Sequence, residues 1–353
     1  MYTLRIVGGI FAVGLLVLAV LRYRRRAISR LNLLITWVLG VVLILLALAP
    51  VIFTPLFDLF SFSREKGSGQ RLIAVELFAL LILFALLVRA MISTDQNERS
   101  LRLLVEALAV RDFEAEKLRL GDQLPTGPCI VAVSPAYNEA ENVAAVIRDI
   151  PESIGGYPVV AIVVDDSSDD GTGDVARRAG AIVVRNPIRR GGGLALRVGY
   201  EVAAMLNAEV VVSLDADGQH LPEEMPVVVE PVLKGEADMV NGSRLLGEFE
   251  SESVVRHVGV HFFSWLVTIM TGQRITDPSS GYRATRADIL RKFVLTQDQF
   301  WTSELLIEGL RHRARIIEVP ITIKARAGGK SKKPKSFKYG WNFSKAIIQT
   351  WLR

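Results

Sequence analysis

Residues 211–224 read VVSLDADGQHLPEE, an apolar, β-branched run that stops at two aspartates separated by one residue, with a glutamine and a histidine just beyond. Such a run, bounded by Asp, Gly and Pro, reads as a buried strand opening into a polar turn. On either side of it, apolar runs alternate with helical patterns. CIVAVS from Cys129 is followed by a helix from Asn138, VVAIVV by a helix from Thr172, AIVV by a helix ending at Leu206, and AEVVVSL by a helix from Pro222, before ADMVNGS. This βαβα rhythm predicts an α/β domain whose mostly parallel, Rossmann-like sheet is covered on both faces. Asn138 with Glu141 three residues on predicts a capping-box helix start, and Pro222 suits a first helical turn. Ligands of such sheets bind outside the carboxyl ends of the strands. The polar clusters SPAYNEAEN, VDDSSDDGT and LDADGQH all fall there.

With 353 residues the chain has room for a catalytic domain and a smaller one. Hydrophobic residues make up 50% of it and the mean hydropathy is +0.32, which directs attention to membrane spans. Residues 4–21, 31–53 and 72–92 are each long enough to cross a hydrocarbon core of about 30 Å at ~1.5 Å per residue. Residues 1–93 are therefore expected to form an α-helical transmembrane domain with three helices. Arg22, Arg24, Arg25, Arg26 and Arg30 follow the first span, as a stop-transfer flank would rather than a cleavage site. The positive-inside rule then places the N-terminus outside and everything after residue 93 in the cytoplasm. Residues 94–128 read as an amphipathic helix and linker, and 129–335 as the catalytic domain. Residues 336–353 form an interfacial helix whose Phe337, Trp341, Ile348 and Trp351 follow Lys330, Lys332, Lys333 and Lys335. The single cysteine, Cys129, excludes an intrachain disulfide and a cysteine-cluster metal site. A formal net charge of +5 suits anionic substrates and lipids. Nucleic acid is set aside, because no reading motif is present.

Asp215 and Asp217 can bring their carboxylates to a common point if the chain bends after the strand, and two such charges repel unless a cation or proton lies between them. Oxygen ligands of this kind favour Mg²⁺ or Mn²⁺, which keep waters and take phosphate oxygens. Gln219 could add an amide oxygen, and His220 is a weaker candidate. The alternative for an isolated D-x-D is a solvated turn. Asp165 and Asp166 end the second strand, where an acid often reads ribose or a base edge; helix capping accounts better for Asp169 or Asp170. In RNPIRRGGGLALRVGY, Gly191, Gly192 and Gly193 permit close backbone approach, and Arg189 and Arg190 add charge. Such a loop can hold phosphate, although it matches neither a Walker loop nor the dinucleotide fingerprint. His257 and His261 stand one turn apart in an apolar helix over 253–272 but have no third ligand, so that helix reads as half buried and half facing lipid.

Taken in order, PAYNE, VDDSSDDGT, GGGLALRVG, DADGQHLPEE, NGSR, DPSSGYRA, IIEVPI and RAGGKSK resemble the polyprenyl-phosphate sugar synthases of the GT-A, family 2 glycosyltransferases, the group of dolichyl-phosphate mannose synthase. The resemblance covers about residues 129–335, and the N-terminal part more loosely resembles a three-span domain fused to some of these enzymes. It implies the GT-A, nucleotide-diphospho-sugar transferase fold. Pro135, Tyr137, Glu139, Asp165 and Asp166 would border the nucleotide. Asp215, Asp217 and Gln219 would hold Mg²⁺ or Mn²⁺ and the donor diphosphate. Arg244 and Arg256 would face the lipid phosphate, and Asp277 would shape the reaction centre with Ser280 and Arg283 beside that phosphate. Lys330 and Lys332 would close over the diphosphate or help receive the lipid phosphate. Four residues after Arg256, where the family often has a serine, this chain has Val260.

The implied reaction is transfer of one hexose, from GDP-mannose first and UDP-glucose next, to a polyprenyl or dolichyl monophosphate at the membrane. A phosphate with a second pKa of about 6 is largely dianionic and needs no strong base. The obstacle is anion against anion, which cations on both sides relieve, and one in-line displacement inverts the anomeric centre. A glycolipid or polysaccharide acceptor is the alternative within enzymes, although the processive Q-x-x-R-W is absent. A non-catalytic scaffold or lipid-handling subunit is the alternative outside them. The transmembrane helices leave room for self-association.

Overall fold

Side-chain alternation in the first strand divides the core. In β1 (Cys129–Ala136), Cys129, Val131 and Val133 join one buried cluster, and Ile130 and Ala132 join another on the opposite face. A pleated strand imposes this period of two, and both faces are apolar because both are covered. The computed structural model describes residues 2–24, 28, 30–48, 69–121, 124–248, 254–324 and 337–352.

β3 (Tyr157–Asp165) lies parallel to β1 and carries both the short antiparallel β2 (Ser153–Ile154) and the parallel β4 (Ile182–Arg185). On the other side of β1 runs β5 (Ala208–Ser213), also parallel; its Val211 faces the first cluster, and Val210 and Val212 the second. β6 (Met239–Ser243) and β8 (Ile316–Pro320) are parallel to each other, and β7 (Arg283–Arg286) inserts antiparallel between β5 and β6. The described sheet therefore runs β2–β3–β1–β5–β7–β6–β8, with β4 also on β3. This is the Rossmann-like, mostly parallel α/β sheet that the sequence rhythm predicts, with one antiparallel insertion. Because β7 is reversed, its first residue meets the last of β5 and the middle of β6: Ser213 pairs with Arg283, and Arg283 with Asn241. The ends of six strands are thus brought to one edge.

In chain order the helices of eight or more residues are α1 (Tyr2–Arg24), α2 (Arg30–Leu48), α3 (Gly69–Leu120), α4 (Gly192–Met205), α5 (Met225–Leu233), α6 (Val254–Thr271), α7 (Trp301–Arg311) and α8 (Phe337–Trp351). α4 sits directly on β1: a Cβ at Gly199 would stand 2.2 Å from Val133 Cγ1. The helix expected from Asn138 begins only at Val143. Asn138 takes a positive φ instead, and its Oδ1 accepts the Asp169 amide, so tertiary pairing overrides the local capping signal.

The chain forms two compact units, Met1–Leu101 with Leu352–Arg353, and Arg102–Trp351. In the first, Ala12, Leu43, Leu81, Phe84 and Val88 are buried together, and Gly40 admits Leu16 where a Cβ would stand 2.5 Å from its Cδ2. Small residues of this kind let helices approach closely. Outward positions are apolar too, with Ile10 68% and Leu83 60% exposed. Among the described residues, length and apolarity qualify one stretch, Leu80–Leu120, to cross a membrane; Asn32–Leu45 is a shorter apolar helix.

In the second unit, the end of α3 is part of the core. Val105, Ala109 and Phe113 are buried in the first cluster, Glu106 Oε1 lies 2.5 Å from Arg197 Nε, and Lys117 Nζ donates to the Met205 carbonyl at 3.0 Å. At the opposite end of the sheet from the polar motifs, Asp238 accepts from Arg286 at 2.8 Å and from Arg315 at 3.1 Å. The hydrogen bonds from Arg315, helped by the Arg286 charge, hold its carboxyl below the usual carboxylate range. The folded pKa thus lies below the unfolded value near 3.9, so the stabilisation is complete above that pH and is lost as pH falls through the folded value. Asp238→Asn is expected to lower stability by about 1.5–3 kcal/mol near neutrality. Urea unfolding at stepped pH should show the gap from wild type closing below about pH 4.

Candidate active site

β5 ends at Ser213, and the chain reverses through Gly218 at φ +73. Asp217 Oδ1 accepts the Gln219 amide at 3.1 Å, and the Asp215 amide donates to His220 Nδ1 at 3.3 Å, so the D-A-D-G-Q-H run closes on itself. Gly281 lies against the first aspartate: a Cβ there would stand 2.9 Å from Asp215 Oδ1 and 3.2 Å from Oδ2. Ser213 Oγ donates to the Gly281 carbonyl at 2.9 Å, which fixes the DPSSGYR segment beside the turn. Gln219 Nε2 donates to the Lys324 carbonyl at 3.2 Å and ties in the chain after β8.

Among the described residues, no three Asp, Glu, His or Cys side chains converge as a protein-only metal cage. Two carboxylates and an amide, with Asp215 lying against a glycine where a Cβ would crowd its oxygens, have the donor chemistry of an ion that retains waters and takes phosphate oxygens. The residues fit Mg²⁺ or Mn²⁺.

Arg244 leaves the end of β6 and meets Asp277: its Nε lies 2.5 Å from Oδ2 and one terminal nitrogen 3.3 Å from Oδ1. Asp277 is fully buried and also accepts from the amide and hydroxyl of Ser279. It is therefore a brace that orients the Arg244 guanidinium, not a base open to substrate. Arg283, expected at the acceptor phosphate, has a different place. It is 1% exposed and donates to Asn241 Oδ1, the Pro278 carbonyl and the Thr302 carbonyl. Burial pushes its pKa down to about 10, with Asp277 opposing the shift. Ser280 is likewise buried, its Oγ accepting the Tyr282 amide. Both hold the segment from beneath.

On the other side of the turn, Asp165 is buried at the end of β3, accepts the Ser168 amide at 2.8 Å and lies 3.7 Å from Arg185 Nε. Asp166, expected at the nucleotide, points into the glycine loop and accepts the amides of Arg190 and Gly191 and the Asn186 side chain. The glycines themselves approach protein rather than leaving a phosphate cradle. Cβ atoms at Gly191 and Gly193 would fall 2.6 Å from the Asp298 carbonyl oxygen and 2.0 Å from that of Gln297, and Gly193 N donates to the Asp298 carbonyl. Arg189 lies 3.7 Å over the Tyr137 ring. Pro135 is in β1, and Glu139 is buried with its amide on Thr172 Oγ1 and its carboxylate on Asn142. Arg256 is in the first turn of α6 but its side chain lies outside the described part, as do Lys330 and Lys332 entirely. Val260 is buried in α6, and His261 is exposed.

Three contributors carried no assigned role in the sequence reading. Glu318 accepts from the amides of Thr276 at 2.7 Å and Asp277 at 3.2 Å and from Asn241 Nδ2 at 2.8 Å, so it anchors the loop bearing Asp277. The lone acid in IIEVPI was its signal. Asn241, within NGSR, bridges Glu318, Arg283 and the Asp277 carbonyl. Asp298 binds Arg190 at 2.5 Å and Arg197 at 2.6 Å, and nothing in TQDQF announces it.

Residues 131–295 match the family described as Glycosyl transferase family 2. The chain is 33% identical over 214 residues to an undecaprenyl-phosphate mannosyltransferase of Micrococcus luteus, covering 58% of this chain and 86% of that one. It is 30% identical over 225 residues to a dolichyl-phosphate hexose transferase of Haloferax volcanii, covering 63% and 94%. The chain is a family 2 glycosyltransferase. Its fold is GT-A-like: the solved glucosyl-3-phosphoglycerate synthase of Mycobacterium tuberculosis with Mn²⁺ and UDP-glucose superimposes with a TM-score of 0.51 at 25% identity, covering 69% of this chain and 82% of that one. In this glycosyltransferase the family match spans residues 131–295, so the end of α3 lies before it and Asp298 and Glu318 after it.

Proposed function

We propose that this glycosyltransferase moves one hexose from a nucleotide sugar to a polyprenyl monophosphate at a membrane surface, with inversion and with a divalent metal. One observation carries the reading: the Asp215/Asp217 turn and the Arg244–Asp277 pair are gathered at one sheet edge, so a cation held by the two carboxylates would offset the donor diphosphate while Arg244 faces the acceptor phosphate. The names of the two relatives supply the acceptor class.

Asp215 and Asp217 would hold Mg²⁺ or Mn²⁺, which supplies Lewis-acid stabilisation of the departing nucleoside diphosphate. Asp165 accepts from the nucleoside, and Tyr137 and Arg189 form its aromatic and cationic wall. Arg244, held in plane by Asp277, orients the attacking phosphate oxygens; guanidinium geometry suits paired phosphate contacts. A phosphate largely dianionic at neutral pH attacks without a general base, in keeping with the absence of an open carboxylate at Asp277. Arg256, Lys330 and Lys332 complete the anion site in this reading. The outward apolar residues of α1, α2 and early α3 face lipid, in three crossings that leave the N-terminus outside and the catalytic unit in the cytoplasm.

The test incubates full-length protein in detergent with undecaprenyl or dolichyl phosphate, Mg²⁺ or Mn²⁺, and labelled GDP-mannose, UDP-glucose or UDP-N-acetylglucosamine. Label entering the organic phase from one donor, and stopping on EDTA addition, is the expected result; GDP-mannose is the first choice and UDP-glucose the second. Transfer only to a soluble or glycolipid acceptor would overturn the assignment.

A further inference from the structure

His220 is a buried imidazole to which the reaction above gives no role. It is 4% exposed and stands where three pieces of chain meet. Its Nδ1 accepts the Asp215 amide at 3.3 Å, its ring lies 5.2 Å from that of Tyr282, tilted by 54°, and its backbone bridges antiparallel to Ile323. Each partner is itself fixed. The Tyr282 hydroxyl donates to the Leu221 carbonyl at 3.1 Å, the Ile323 amide to the Glu248 carbonyl at 2.9 Å, and the Lys324 amide to the Gln219 carbonyl at 2.9 Å. A polar ring buried among such neighbours is costly unless it is hydrogen-bonded. Packing alone would be served by an apolar side chain, so the acceptor nitrogen is the informative part.

That nitrogen is aimed at the amide of the first aspartate of the pair. Residues two apart on a continuing strand fall on the same face about 6.5 Å along it, but β5 ends at Ser213, so the turn and not the pleat sets where the two carboxylates are aimed. A turn outside the strand ladder keeps one shape when it is tied. Gly218, at φ +73, turns the chain back, and the bond from Asp215 N to His220 Nδ1 closes the loop five residues on.

We propose that His220 is a positioning residue for the metal and diphosphate site, holding the 215–220 loop closed so that Asp215 and Asp217 address one point. This rests on the metal-assisted reading above. It acts through the Asp215 backbone and touches neither donor nor acceptor.

The test compares full-length wild type, His220→Asn and His220→Phe in detergent. Asparagine places an oxygen near the position of Nδ1 and loses the ring. Phenylalanine keeps a ring on Tyr282 and loses the acceptor. Free Mn²⁺ is followed by electron paramagnetic resonance during titration, with UDP and then GDP present, alongside kcat and KM for donor. The expected result is Mn²⁺ binding weakened about 10–100-fold in His220→Phe, the range seen when partners that orient metal ligands are lost, with His220→Asn close to wild type. Equal, undiminished binding in wild type and His220→Phe overturns the role of His220 alone. Equal weakening in both variants overturns it in favour of ring packing. Wild type that binds no Mn²⁺ with either nucleotide overturns the metal reading itself and His220's role with it. Should His220→Phe not fold, amide hydrogen exchange of wild-type peptides spanning Asp215 decides: a protected Asp215 amide supports the tie, and exchange as fast as an open turn removes it.

Discussion

Asp217→Ala is expected to lower sugar transfer by about 10²–10³-fold, the loss that accompanies removal of one pre-aligned electrostatic group from a transition state. Its carboxylate accepts the Gln219 amide within the turn, and loss of that bond should lower stability by about 1 kcal/mol. The contrast between those two magnitudes is the content of the prediction. Initial rates of label transfer at saturating donor, read beside thermal unfolding, measure both. A variant that transfers sugar at the wild-type rate would remove Asp217 from the machinery, and one that fails to fold would make the residue a structural one.

The second large effect runs the other way, from charge to stability. Arg244→Leu removes the guanidinium and leaves the Asp277 carboxylate fully buried with neutral donors alone from this set, the backbone amide at position 244 and the amide and hydroxyl of Ser279. Breaking a buried pair by removing one side typically costs about 3–5 kcal/mol, because the abandoned charge stays out of water. Chemical unfolding should show that loss, and adding Asp277→Asn in the same chain should recover part of it by removing the charge. Transfer should be lost in both proteins, since neither carries the guanidinium. Recovery of stability without recovery of transfer separates the brace from the group it braces.

Much of this was readable in the sequence. The strands and their mostly parallel pairing follow from near-continuous apolar runs such as CIVAVS and AEVVVSL, legible without coordinates, and the D-A-D turn falls where a parallel sheet places its ligands. What the sequence could not show was direction. Asp165 and Asp166 are neighbours, yet one sits beside Arg185 and the other turns into the glycine loop. Arg283 reads as an anion-binding arginine, and only the fold reveals that carbonyls and Asn241 surround it. The three glycines at 191–193 read as a phosphate loop because close approach is legible while the identity of the approaching group is not; here it is the chain at Gln297 and Asp298. Glu318 illustrates the same limit, since its partners lie about forty and eighty residues away in the chain.

The far end of α3 changes how this enzyme could be taken apart. Val105, Ala109 and Phe113 close the main core, while Glu106 and Lys117 clasp Arg197 and the end of α4. A fragment trimmed to the family boundary near residue 131 would therefore open a greasy trough along its own sheet layer and leave Arg197 with Asp298 but without Glu106. The segment upstream of the family domain is a structural debt of the catalytic half, and any independently handled version of that half must begin no later than Arg102.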